Sequence, residues 1–408
     1  MTDDRVTHAA AHPQARSDAR SDIASYAALT AAYCTHAGFF NPFLPLWLKE
    51  LGLSIAVISV LTAVQSATRM FAPYAWGALS DRTGERAKLL RIGALIALVG
   101  SAGLWVNWGV PWLALVLLVM FTQTSGMMPM TEAAVAHAVS TDGVFNAKLY
   151  GRVRLFGSLG FMLAVLGAGA WFEHVGMQSF PLMVTLSLVA LVLFAYRMPD
   201  AKEAVHHTAG SAMPIGPVLA KPEVRWLFAS IFFHVLSHMG IYTFFSLYLD
   251  SLGYSKTMIG IFWAVSVTVE IGWFFTQSRW LPRFSLTAWL VICAAVMVLR
   301  MAVTASMASV LWVLVIAQAL HALTFAAHHS ACIALISHYF PGSLRGRGQA
   351  LFTVVGYGIP GVLGGLLGGQ LSTHFGLASV FWATSAMALC ALVCAVGVWR
   401  WRHPGIRQ

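Results

Sequence analysis

The chain has 408 residues, of which 58% are hydrophobic and 10% charged, against roughly 25% charged in a typical soluble domain. That much apolar side chain exceeds what one soluble core can enclose, so a water-soluble globular fold is excluded and much of the surface must face lipid. Lys and Arg outnumber Asp and Glu by 25 to 15; in a soluble protein this surplus would suggest a nucleic-acid partner, but its placement assigns it to membrane orientation instead.

Residues 1–22 are polar, mixed in charge and without an apolar core, which predicts a cytoplasmic tail and not a secretory signal. A spanning helix takes about 20 largely apolar residues. Twelve such stretches follow: 23–48, 55–79, 89–108, 112–138, 150–172 and 178–197, then 224–249, 257–278, 285–305, 309–337, 348–371 and 377–400. The polar segment 198–222 divides them six and six, predicting bundles over 23–197 and 223–400, a cytoplasmic linker between them, and a short cytoplasmic tail at 401–408. GALSDRTGERAK after the second span has a degenerate echo, TQSRWLPRFS, after the eighth. The expected fold is all-α: a polytopic membrane protein with 12 transmembrane helices in two six-helix bundles and a solute site near the midplane between them.

With the N-terminus in the cytoplasm, 21 of the 25 Lys and Arg fall in tails and connections on that side, and only Lys49 and Lys256 on the opposite one. The positive-inside rule then puts both termini in the cytoplasm of a cell (inner) membrane. The five cysteines, Cys34, Cys293, Cys332, Cys390 and Cys394, lie in apolar stretches without CxxC spacing and read as small hydrophobes.

Four fully charged side chains lie deep in spans: Arg69, Glu132, Glu270 and Arg300. A charge at the bilayer centre costs at least a few kcal/mol, so each faces a cavity or a partner and is a functional candidate. A carboxyl group in a low-dielectric cavity can load and release a proton near neutrality, which makes Glu132 and Glu270 the proton-carrier candidates. Histidines in the spans, His36, His234, His238, His321, His328 and His329, add groups that titrate near neutrality. His234 and His238 share a helix face, but no HExxH or Cys/His cluster accompanies them, so no metal site is expected. The aromatics Phe39, Phe40, Trp263, Phe325 and Phe352 read as packing or lipid-facing. The glycines of span 11 read as small-residue helix packing.

GALSDRTGERAK, Gly77 to Lys88, resembles the loop between spans 2 and 3 of the major facilitator superfamily. In it Gly77 would permit close helix approach, while Asp81 caps or pairs and the basic residues hold the cytoplasmic face. Further segments resemble the branch containing the 3-phenylpropionate transporter and, more distantly, the lactose permease-type proton symporters. These are PFLPLWLKELGLS, SATRMF, YGRVRLFGSLGF, VTVEIGWFF, VLRMAV and QALHALTFAAHH. The resemblance implies substrate binding by Glu132, its arginine partner Arg154 and the aromatic Phe161; Arg69 and His238, singled out above as a deep charge and a span histidine, join them as substrate-binding candidates. It implies proton coupling through Glu270, Arg300 and His321, and a conformational switch loop containing Gly77, Asp81, Arg82 and Gly84. Thr324 stands where the permease carries its proton-bearing glutamate, which shifts that expectation to Glu270. Arg154 also fits an interfacial anchor, and His321 a helix–helix hydrogen bond.

The function so implied is secondary active transport of a small organic solute by alternating access. A proton-coupled importer of an aromatic carboxylate such as phenylpropionate comes first, and a sugar-like solute second. A drug or metabolite exporter on the same fold is the alternative, disfavoured because GSLGFMLAVLGAGAW in span 5 contains no proline. An enzyme, a receptor or an ATP-driven pump would need HExxH, GxSxG, a Walker loop or an added soluble domain, none of which occurs. The expected partners are the solute, protons and the lipid bilayer. No nucleic acid, metal or cofactor is expected beyond the proton gradient, and the chain is expected to be a monomer.

Overall fold

The computed structural model describes residues 13–141, 144–199 and 214–401. The start of the expected N-terminal tail, the middle of the linker and the C-terminal tail from 402 lie outside the described residues. Its long helices are α1 (Pro13–Glu50), α2 (Ile55–Thr83), α3 (Arg86–Ser101), α4 (Val110–Ala138), α5 (Ala147–Val175) and α6 (Phe180–Tyr196). After the linker come α7 (Pro222–Ser251), α8 (Lys256–Trp280), α9 (Leu286–Met307), α10 (Leu311–Tyr339), α11 (Arg345–Phe375) and α12 (Leu377–Trp401). Eleven of these, α2 to α12, are long and apolar enough to cross a membrane. The first is longer but more polar, interrupted by His36, Asn41 and two threonines, Thr30 and Thr35. It begins ten residues before the expected span, at Pro13, because proline suits a first helical turn and the Ala- and Arg-bearing run after it favours helix.

The helix ends follow local chemistry. Ser54, Ser255 and Ser285 accept hydrogen bonds from the backbone N–H groups of Val57, Met258 and Ala288 at the starts of α2, α8 and α9. Gly84 ends α2 in the left-handed region at φ 66°, which explains a glycine there. Gly77 does not have the role expected of it: a Cβ at that position would meet nothing within 4 Å.

The two halves repeat one packing pattern. In the first, α1 packs on α5 and α6, α2 on α4, and α3 on α6; in the second, α7 packs on α11 and α12, α8 on α10, and α9 on α12. The halves meet along α2 against α11 and α5 against α8. Three helices of the second half contain π-helical turns, Gly240–Phe244 in α7, Ala322–Ala327 in α10 and Val354–Gly358 in α11. Such turns commonly mark functional positions in helices.

Contact between the halves is tightest at the face bearing Lys49 and Lys256. There a Cβ on Gly260 would lie 2.6 Å from the backbone oxygen of Val165, and one on Gly169 2.7 Å from that of Lys256. Gly365 likewise sits against Ser59 and Ala63 of α2. Lys49 of the first half and Lys256 of the second both bind Asp250, at 2.6 and 2.5 Å, and Glu173 of α5 accepts from the Lys256 backbone N–H. Backbone approach this close is possible only without side chains, and ion pairs then hold the rim.

Gly260→Val is therefore expected to wedge α5 from α8 and open this face. Cys34, which faces the space between the halves, should then be alkylated faster by a membrane-impermeant maleimide applied from the Lys49 side. Unchanged labelling in a folded variant would show that closure does not depend on this glycine contact.

Candidate functional site

Between the halves lies a cavity of about 240 Å³, just below the ~300 Å³ at which pockets for drug-sized ligands begin. Its walls are helix faces at helical spacing. On α5 they are Arg154, Gly157, Ser158 and Phe161; on α8, Trp263, Ser266, Val267 and Glu270; on α10, His321 and Phe325. Thr30 and Cys34 of α1, Met128 of α4 and Tyr242 of α7 complete it. The glycines of GSLG set the α5 wall: a Cβ at Gly157 would lie 3.0 Å from Cys34 and Thr30, and one at Gly160 2.7 Å from the Ala31 backbone oxygen. This segment is thus built for close crossing with α1.

On the first-half side, Arg154 Nη1 lies 2.9 Å from Glu132 Oε1. The two side chains are 53% and 35% exposed, so water reaches the pair from the face carrying the basic loops. A buried pair would lose roughly 3–5 kcal/mol when one partner is removed, whereas this solvated pair contributes at most about 1 kcal/mol to stability.

On the second-half side, Arg300 is fully buried and no carboxylate among the described residues pairs with it. Its Nη1 donates to Thr324 Oγ1 at 2.7 Å and its Nη2 to Gln318 Oε1 at 3.1 Å. Gln318 Oε1 also accepts from Ser266 of α8 at 2.7 Å. Nη1 lies 3.3 Å from His321 Nδ1. A guanidinium only donates, so His321 Nδ1 must present its lone pair and the ring proton must sit on Nε2. That Nε2 lies 3.5 Å from Glu270 Oε2, long for a hydrogen bond but aimed at the cavity carboxylate. Thr324 occupies the place of the expected glutamate and takes the arginine's hydrogen bond in its stead.

The remaining site candidates are distributed around this centre. Phe161 lines the cavity. His238 is buried and lies one layer behind it: its ring is 5.4 Å from that of His321, and with His234, His328, Tyr242 and Tyr357 it encloses a space of about 10 Å³, the size of one water. His234 donates from Nε2 to the Thr324 carbonyl at 2.7 Å and stacks on His328 at 3.6 Å. Among the described residues no group of three or more His, Cys, Asp or Glu is placed to hold a metal. Arg69 is half-buried on α2, with no hydrogen bond or ion pair among the described residues.

Two readings change. Trp263 and Phe325 are neither lipid-facing nor simply packed; both line the cavity, because Trp263 precedes Glu270 by seven residues and Phe325 follows His321 by four, each pair on one helix face. Asp81, in the last turn of α2, pairs with Arg86 at the start of α3 at 3.6 Å and is largely exposed; Arg82 is exposed and Gly84 is the helix stop. Tyr242, Ser266 and Gln318 were not among the sequence candidates. Tyr242 lies in the π turn of α7; Ser266 and Gln318 are neutral residues, and although Gln318 opens the QALHALTFAAHH segment, no charge sets it apart there.

Among the described residues, twelve long helices in two repeating bundles around a central, mostly apolar cavity define a membrane transporter of the major facilitator type. A family model described as "MFS_1 like family" matches residues 26–383, and the chain belongs to that family. It is 26% identical over 359 residues to the probable 3-phenylpropionic acid transporter of Escherichia coli, covering 87% of this chain and 92% of that one. It is 23% identical over 353 residues to the maltose permease of Geobacillus stearothermophilus, covering 84% and 86%. Among solved structures, the nucleoside transporter NupG shares the fold with a TM-score of 0.78 at 14% identity over 93% of this chain and 99% of that one. A D-xylose–proton symporter does so with a TM-score of 0.67 at 13% identity over 95% and 98%.

Arg154→Ala is expected to shift the thermal midpoint in detergent by only a few degrees while weakening solute binding in a direct assay. A stability loss of roughly 3–5 kcal/mol would instead mark the pair as buried in the functional state.

Proposed function

We propose that the protein imports a small organic solute together with protons by alternating access, with both termini and the basic loops in the cytoplasm. An aromatic carboxylate such as phenylpropionate is the first choice of solute. The observation that carries this reading is Glu270, a carboxylate on the cavity wall linked through His321 to the buried Arg300. Arg300 occupies the lone pair of His321, which leaves Glu270 as the carboxylate of the cavity wall and the candidate proton carrier. Phe161, Trp263 and Phe325 supply the apolar surface that an aromatic ring needs. A sugar-like solute is the second reading, supported by the Glu132–Arg154 pair beside an aromatic ring.

The cavity is closed at the Lys49 face and approached from the basic face through Glu132 and Arg154, which fits a carrier open to the cytoplasm. Orientation itself is supported by the basic residues of the connections.

Glu270→Gln in reconstituted vesicles is expected to abolish pH-gradient-driven accumulation of labelled phenylpropionate while leaving solute exchange at least partly intact. Accumulation at the wild-type level would reject Glu270 as the proton carrier.

The loop from Gly77 to Gly84 is assigned to switching and not to affinity, since it lies at the basic ends of α2 and α3, away from the cavity. Asp81→Asn removes an exposed pair worth up to about 1 kcal/mol, so turnover should change by no more than about fivefold. Equilibrium binding should stay at the wild-type value. Binding lost in proportion to rate would exclude the switch role.

A further inference from the structure

Of the three arginines named as substrate or proton-coupling candidates, two have their donors engaged: Arg154 by Glu132, and Arg300 by Thr324, Gln318 and His321. Arg69 is the exception. Its direction follows from its neighbours on α2, since successive residues turn by about 100° around a helix. Gln65 reaches α1, donating to Asn41 at 2.8 Å. Ser66 and Met70 abut Gly361 and Gly358 of α11. Thr68 faces α4, with its hydroxyl 3.1 Å from that of Ser125. Arg69 falls about 40° from Gln65 on the side of Ser66, between the α1-facing and α11-facing directions, and so points into the gap between the halves.

Tyr33 of α1, Tyr242 of α7 and Tyr357 of α11 lie within the electrostatic reach of Arg69. Tyr242 also lines the cavity and feels Glu270. Among the described residues the hydroxyls of Tyr33 and Tyr242 make no hydrogen bond, whereas that of Tyr357 is 3.2 Å from His329. A guanidinium turned into the gap, with no hydrogen bond among the described residues and with Tyr242 on the adjoining cavity wall, offers donors to an acceptor anion. Its planar fork matches a carboxylate. A neutral polyol, which must both donate and accept, gains less there.

We infer that Arg69, assisted by Tyr33 and Tyr242, binds the carboxylate of the transported solute. This rests on the reading of the cavity as the site of an aromatic acid.

The test uses the full-length protein in nanodiscs and compares equilibrium binding of 3-phenylpropionate with that of 3-phenylpropionamide, its neutral analogue. The wild type should prefer the acid. Arg69→Gln should weaken the acid by about tenfold or more, the usual scale for losing a charge-assisted hydrogen bond, and leave the amide within about twofold. Arg69→Lys should retain part of the preference. Tyr33→Phe, which leaves the charges alone and serves as the readout where Arg69→Gln does not fold, should lower the acid-to-amide ratio by a few-fold. An unchanged ratio in Arg69→Gln, or in Tyr33→Phe and Arg69→Lys together, overturns the assignment while leaving the cavity reading in place. A wild type that binds the acid no better than the amide also overturns it. A wild type that binds neither overturns both.

Discussion

The arrangement of this transporter depends on backbone approach between α5 and α8 and between α2 and α11 at one face. Glycine at 169, 260 and 365 lets the two halves touch there almost without side chains, and Asp250 then draws Lys49 and Lys256 together across the rim. A membrane interior offers little hydrophobic reward for helix association, so van der Waals contact at small residues has to supply it. Because that contact is local, the halves diverge from it, and the space between them becomes the cavity. The same contact must break when the carrier reverses. Steric closeness and a few solvated ion pairs are suited to that, since neither locks the interface as a large interdigitated core would.

Within the second half, one guanidinium organises the chemistry. Arg300 is removed from water and has no carboxylate beside it among the described residues, so its charge is spread over Thr324, Gln318 and His321. Each contact also constrains its partner. Gln318 must turn its oxygen towards both Arg300 and Ser266, which ties α9, α10 and α8 together. His321 must hold its proton on Nε2. Thr324, whose carbonyl receives His234, transmits the constraint to the stacked imidazoles behind the cavity. The π turn at Ala322–Ala327 lies in this segment, where an altered helical phase sets the relation between His321 and the following turn.

Much of this was legible in the sequence, and the physical reason is the cost of burying charge. Arg69, Glu132, Glu270 and Arg300 stood out because lipid makes unpaired charge expensive, while Arg154 and Phe161 were indicated only by the resemblance of YGRVRLFGSLGF to a known family. Lys49 and Lys256 were recognisable as the two exceptions to a basic opposite face, yet not as partners of one aspartate, because Asp250 sits at a helix end where charge is ordinary. Neutral groups left no such trace. Tyr242, Ser266 and Gln318 resemble dozens of other span residues until their helices are assembled, and Trp263 and Phe325 are indistinguishable in composition from aromatics that face lipid. Gly77 shows the converse error: its motif suggested close packing, while the conformational need in that loop falls on Gly84.

On the proposed reading, the span charges also explain why proton and solute should travel together. With Glu270 ionised, Arg69 and Arg300 against Glu132 and Glu270 sum to zero. A carboxylate alone lowers that to minus one, and a proton alone raises it to plus one. Only joint loading returns the empty carrier's value, so empty and fully loaded forms present the same charge to the membrane as they reorient. A singly loaded carrier differs by one charge, and each elementary charge moved through the full field is worth about 2.3 kcal/mol per 100 mV.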